Sequence, residues 1–300
     1  MSIEPRLPPD LERKVFELAA HEDSRTAFRI ILVAHRCRSW VEPILYRSVV
    51  VCQSSWSFPL FLRTLDVQPT HYAQWIKEIQ IDPYVLPNDP AVPRVLSICT
   101  SVVHLIDLSH GRTPFSVLSQ LRLTRLCISL DIIDGLAEGA YFSHPAFAQL
   151  THLHVLDAPQ RWLDIPFSDL PALTHLALQN YKNQIRSTNV PVLKKILTEC
   201  RNLQVLVVFI MFSRPDDCNT QNTKLLVDDP RLTILPRTSA RREDIWDFAK
   251  ESTDNTVMAI ETRSNNIWAT KVCIHPFYSF LSSPFIPHPA HQKKSQKTDQ

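Results

Sequence analysis

The chain has 300 residues, a formal net charge of +2, 44% hydrophobic and 21% charged residues, so it can bury roughly 75% of its unfolded surface and needs no disulfide or metal to fold. Its basic residues form no Arg/Lys stripe interleaved with aromatics, which removes the electrostatic footprint of a nucleic-acid binder. Its only glycines are Gly111, Gly135 and Gly139, where roughly 7% is usual, and without a close cluster neither a dinucleotide fingerprint nor a phosphate-cradling loop is expected.

The polar, charged start MSIEPRLPPDLERK does not read as a signal peptide. Pro8 and Pro9 precede Asp10, which caps or begins a helix carrying Leu11, Val15, Leu18 and Ala19 at helical spacing, with Phe16 beside them. After the break HEDSR, with Asp23 or Ser24 as cap, Ala27, Phe28, Ile31, Leu32 and Ala34 form a second helix. Trp40, Val41, Ile44 and Leu45 continue the apolar pattern until Pro43 interrupts it, and YRSVVV reads as a strand. Residues 1–48 are therefore expected to form a helical hairpin.

From residue 49 a unit L-x-x-L-x-L, with conservative variants, recurs at irregular spacing. The clearest copies are Leu123-Leu126-Ile128, Leu150-Leu153-Val155, Leu173-Leu176-Leu178 and Leu203-Leu206-Val208. Ile76-Ile79-Ile81 is weaker, and near residue 102 two registers compete, Val102-Leu105 and Val103-Ile106-Leu108. The starting positions 76, 102, 123, 150, 173 and 203 fall near the ~20–29-residue period of leucine-rich repeats. The helical segments VPRVLSI and VPVLKKIL stand before Cys99 and Cys200, which read as small buried hydrophobes at helix-to-strand turns. Helix, turn and strand thus repeat together, which predicts an α/β array whose units bury one another's leucines.

His104, His152 and His175 hold the same slot in their units, just before the second leucine, and Arg125 holds it between the first two. That slot is expected to face the concave side of the array, as a polar partner-binding face. His154 shares the face of His152, and strands about 4.8 Å apart would bring His152, His154 and His175 together. Three imidazoles could bind zinc, but Thr-His pairs suit a half-polar strand face and no carboxylate is placed to orient a ring, so no metal is expected.

RLTIL at 231–235 reads as a last strand, DDCNTQN at 216–222 as a loop, and SARREDIWDFAKES at 239–252 as a closing helix that ends the array begun at residue 49. Residues 253–283 form an extension of undefined structure, and 284–300, rich in Pro and basic residues, are expected to be disordered. The seven cysteines include no C-x-x-C pair and read as reduced thiols. The longest apolar run, Val205 to Phe212, is far short of a membrane span. A cytoplasmic or nuclear protein is expected, without cofactor and not at a membrane. No nucleophile elbow, metalloprotease helix or glycine-rich catalytic loop is present, and the acid pairs Asp216-Asp217 and Asp228-Asp229 sit in polar stretches, so no enzyme is expected.

Leu7-Pro8, then Leu11, Val15 and Leu18, then Val33-Ala34 with Arg36, and Trp40 before EPILYR resemble the F-box, in the divergent form common among fungal F-box-like proteins. The later segments look like the leucine-rich-repeat arrays that follow it in many such proteins, with Asn180 the one equivalent of their asparagine ladder. The resemblance implies an irregular solenoid and a substrate receptor of an SCF-type cullin ubiquitin ligase. Leu7, Pro8, Leu11, Val15 and Phe16 would meet a Skp1-like adaptor, and His104, Arg125, His152, His154 and His175 a protein target. Two alternatives stay open. The helices would only cap the array, with Leu11, Val15 and Leu18 facing inward, or the chain would be an interaction scaffold independent of ubiquitin ligases.

Overall fold

Pro9 stands in the first turn of helix α1 (Pro9–Glu22), where its missing N–H costs no helical bond. The helix stops at Asp23, whose carboxylate accepts from the backbone N–H groups of Arg25 at 3.1 Å and Thr26 at 2.9 Å and so starts α2 (Ser24–Ile30). A second break follows, and α3 (His35–Leu45) begins after Ala34, whose backbone is extended at φ −160° and ψ 155°. The expected hairpin is therefore a module of three helices, and Ala34 caps the third instead of lying inside the second.

Pro43 does not interrupt the pattern, because it falls near the end of α3 and removes only one late N–H donor, while Val41, Ile44 and Leu45 hold the turn by packing. Ala20, Ala27, Ile30, Cys37 and Val41 form the centre of this module, Phe16 stacks on Trp40 at 6.5 Å, and Arg36 meets Glu12 at 2.8 Å to tie α3 to α1. Its core is distinct from the larger one that follows.

The computed structural model describes residues 7–236 apart from 53–56, 84, 87–88, 110, 135–141, 158–161, 164, 181–188 and 211–226. The expected loop at 216–222, closing helix, extension and tail lie outside the described residues, as do Cys218 and Cys273. After the helical module come β1 (Ser48–Val51), α4 (Ser57–Val67), α5 (Pro69–Ala73), β2 (Glu78–Ile81), α6 (Ala91–Ile98), β3 (His104–Asp107), β4 (Thr113–Pro114) and α7 (Phe115–Leu118). They continue with β5 (Arg125–Ile128), β6 (Ile133–Asp134), β7 (His152–Val155), β8 (His175–Asn180), α8 (Val190–Glu199), β9 (Val205–Ile210) and β10 (Leu232–Pro236).

The fold is α/β. Eight strands form one sheet in the order β1-β2-β3-β5-β7-β8-β9-β10, every neighbouring pair parallel, and β4 pairs with β6 in a separate two-stranded ribbon. Strand order follows chain order, and the described helices between strands lie on one side: Leu65 of α4, Val95 of α6, Leu118 of α7 and Leu193 of α8 all join the core that holds the inward strand residues. Right-handed crossovers that stay on one face always step the same way, so the sheet never doubles back.

The register aligns the second apolar position of every expected repeat: Ile79, Leu105, Leu126, Leu153, Leu176 and Leu206 lie side by side, each at most 2% exposed. Near residue 102 the chain takes the Val102-Leu105 register, with both side chains fully buried, and this gives the third apolar position to Asp107. The competing Val103-Ile106-Leu108 register fails because it would turn Leu105 outward. Two strands beyond the six expected units extend the same alignment, Val49 beside Ile79 at one end and Leu232 beside Leu206 at the other. Cys99 and Cys200 end α6 and α8 as buried thiols, pushed up to about 12 and about 11, chiefly by desolvation. Among the described residues no helix is long and apolar enough to cross a membrane.

Candidate interaction surfaces

Helix α1 has two apolar sides. Phe16, Ala19 and Ala20 pack against α2 and α3, whereas Leu11, Val15 and Leu18 share the opposite face and stand 49%, 55% and 65% exposed. Leu7 and Pro8, just ahead of the helix, are exposed as well. The outward set therefore differs from the expected docking set at one residue: Phe16 is half-buried on Trp40, because it lies one position past Val15 and so on the other side of the helix. Leu11, Val15 and Leu18 do not face inward, as a purely capping role would require. Leu32 and Val33, in the turn between α2 and α3, are also exposed.

On the sheet, the register sets Glu78, His104, Arg125, His152, His175 and Val205 in one row, one residue before the aligned leucines and hence on the face opposite the core. The rings of His152 and His175 stack at 4.1 Å with 6° between their planes. His104 Nδ1 lies 3.5 Å from Glu78 Oε1, so one imidazole does have a carboxylate beside it. The expectation of none missed Glu78, although its place before Ile79 in the first expected repeat marked it. Arg125 is exposed, and among the described residues no carboxylate pairs with its guanidinium.

A threonine ladder orients the stacked pair. Thr124 donates its hydroxyl to the carbonyl of Val103 at 3.2 Å, Thr151 to that of Thr124 at 3.0 Å, and Thr174 to that of Thr151 at 3.1 Å. The same Thr151 and Thr174 oxygens lie 2.8 Å from Nδ1 of His152 and His175. A hydroxyl has one proton, and the carbonyl takes it, so the contact with Nδ1 requires the proton on the ring. This arrangement favours a proton on Nδ1 of both rings. Burial, then the neighbouring His175, Arg125 and His104, brings His152 down from 6.5 to about 3. Ring 15N shifts are expected to show a protonated Nδ1 for both residues, with His152 neutral throughout the range where an ordinary histidine titrates. An unprotonated Nδ1 at neutral pH would overturn the ladder.

His154 does not join this pair. It is 4% exposed, its Nδ1 lies 3.4 Å from the Cys127 sulfur, and its ring is 5.4 Å from that of Phe209. It shares the outward face, as its spacing from His152 predicts, but it stands one row further along the strands, where neighbouring side chains enclose it. An accessible partner contact through His154 is therefore corrected to a buried packing role. Among the described residues no group of three or more His, Cys, Asp or Glu side chains is placed to hold a metal ion.

Two buried carboxylates anchor the loops beyond the strands, and neither was singled out from the sequence. Asp107, fully buried, accepts from the Ser109 N–H at 3.0 Å, the Ser109 hydroxyl at 2.7 Å and the Thr113 hydroxyl at 2.7 Å. Asp157 accepts from the Ser129 hydroxyl at 2.9 Å and the Leu130 N–H at 2.7 Å, while its own carbonyl accepts from the Trp162 indole at 3.1 Å. Burial is the leading influence on both acids and pushes both up. No family model matches the chain, and no curated protein matches it.

Proposed function

We propose that the protein is a non-enzymatic substrate receptor of an SCF-type cullin ubiquitin ligase. In this reading α1 to α3 are an F-box-like module that docks on a Skp1-like adaptor, and the strand array is a degenerate leucine-rich-repeat solenoid that holds a protein target for ubiquitin transfer by other subunits. The observation that carries it is the outward face of α1: Leu11, Val15 and Leu18 are half-exposed or more on a module whose own core is complete without them. A row of large aliphatic side chains kept in water by a stable module marks a contact site for another polypeptide. The solenoid assignment is supported by parallel strands in chain order with their helices on one face.

Capture of the organism's Skp1-like protein by the purified chain tests the reading. The double variant Leu11→Asp, Val15→Asp is expected to keep its circular dichroism spectrum and thermal transition, because both side chains are exposed, yet to lose adaptor capture by about tenfold or more, as buried interface anchors do. Undiminished capture would remove the docking assignment. No capture by the unaltered chain would leave a free-standing repeat scaffold.

A further inference from the structure

We infer that the outward row Glu78, His104, Arg125, His152 and His175 is a docking strip for an acidic protein segment, one carboxylate of which pairs with the Arg125 guanidinium. The inference deepens the target-binding half of the proposed function and rests on that reading for its biological role.

Charge complementarity carries it. Arg125 is the one permanent cation of the row, it is exposed, and among the described residues no carboxylate neutralises it. The only acid in the row, Glu78, stands two strands away beside His104. Glu78 Oε1 lies 3.5 Å from His104 Nδ1, and among the described residues no ion pair joins it to Arg125. Arginine presents a planar fork of donors that matches a carboxylate in two parallel hydrogen bonds, so an incoming Glu or Asp side chain is the group it fits.

The row also limits the partner. From His104 to His175 it crosses three strand intervals, roughly 14 Å, which an extended segment of about four residues spans. A nucleic acid is a poorer fit, because a polyanion tracking the row would set a phosphate against Glu78 and meet a single fixed positive charge. One or two carboxylates opposite Arg125, on an otherwise uncharged segment, meet no such repulsion.

The stacked imidazoles border the Arg125 position. His152 is flanked by Arg125 on β5 and His175 on β8, with His104 and Glu78 beyond on β3 and β2, and with His154 and Cys127 one row further along the face. Burial above all, then His175, Arg125 and His104, holds His152 neutral in the free protein. A carboxylate seated at Arg125 offsets one of the lesser influences and leaves the burial in place, so His152 stays neutral in the bound form as well. Arg125 therefore supplies the fixed charge that attracts an acidic segment.

The test uses the full chain and two fluorescein-labelled hexapeptides, Ala-Ala-Glu-Glu-Ala-Ala and its counterpart with both Glu replaced by Gln, read by fluorescence anisotropy. The Glu peptide is expected to bind in preference to the Gln peptide, and Arg125→Gln to weaken it about tenfold, the usual effect of losing a charge-assisted pair. Equal binding of the two peptides, indifference to Arg125→Gln, or preference for a labelled single-stranded oligonucleotide would overturn the inference. Adaptor capture is measured on the same protein. Loss of peptide discrimination with capture intact sinks the acidic-segment inference alone, and peptide discrimination without capture sinks the ligase reading alone.

Discussion

Leu153→Ala is expected to destabilise the protein by about 3–5 kcal/mol, the upper part of the range for a buried leucine. Leu153 is fully buried on β7, with Leu126 of β5 and Leu176 of β8 in register on either side. Parallel ladders on both edges hold β7 in place, so its neighbours cannot collapse into the space a deleted isobutyl group leaves. The lost transfer energy and the unrelaxed cavity then add. The contrast is Leu11→Ala on the outward face of α1, where a half-exposed side chain leaves no cavity and the change is expected to stay within about 0.5 kcal/mol. Urea unfolding of both variants checks the pair. A loss under about 1 kcal/mol at Leu153 would show that the aligned leucines do not form one continuous core.

Asp107→Ala is expected to cost about 2–3 kcal/mol, since it strands the Ser109 N–H and two hydroxyls in a dry site. Asp107→Asn keeps an acceptor for the backbone donor, and the hydroxyls can reverse toward the amide, so it is expected to lose much less. The two also differ in pH dependence. Burial first, opposed by the hydrogen bonds from Ser109 and Thr113, raises the Asp107 carboxyl above its ordinary 3.8. A folded-state pKa above the unfolded one means the unfolded chain gives up its proton first as pH rises. Asp107 thus favours the fold most below 3.8, and that contribution is lost as pH climbs through the folded value. Unfolding measured on the acid side of neutrality should show this slope in the unaltered protein and not in Asp107→Asn. An identical slope in both would assign the titration to another group.

How far each feature was legible depended on whether local spacing decides it. The strands at 78, 104, 125, 152, 175 and 205 start two residues after each expected repeat begins, and α6 and α8 cover the two Pro-bearing segments read as helices. Asp23 caps α2 as its short side chain and position allow. These are statements about neighbours in sequence. The break at Ala34 was missed because apolar residues run across it without a Gly or Pro to mark it, and the survival of α3 through Pro43 was missed because packing outweighed a single lost donor.

The row on the sheet face was half legible. The shared slot of His104, Arg125, His152 and His175 is a matter of counting, and the parallel register brings them side by side as that count predicts. Glu78 belonged to the same count. The stacking of two rings at 4.1 Å and the enclosure of His154 arise between strands that lie more than twenty residues apart in sequence. No window along the chain contains them.

By itself the sequence determined the α/β alternation, the period of the array and the face each slot occupies, because side-chain direction in a strand and spacing on a helix follow from backbone geometry alone. Only the tertiary structure decided that Phe16 turns to Trp40 while Val15 faces water, that the Val102 register wins and buries an aspartate, and that Arg125 stands exposed between two imidazoles. Those outcomes depend on which surfaces meet, and a contact between distant segments is settled by packing and desolvation across the whole fold rather than by any residue's own preference.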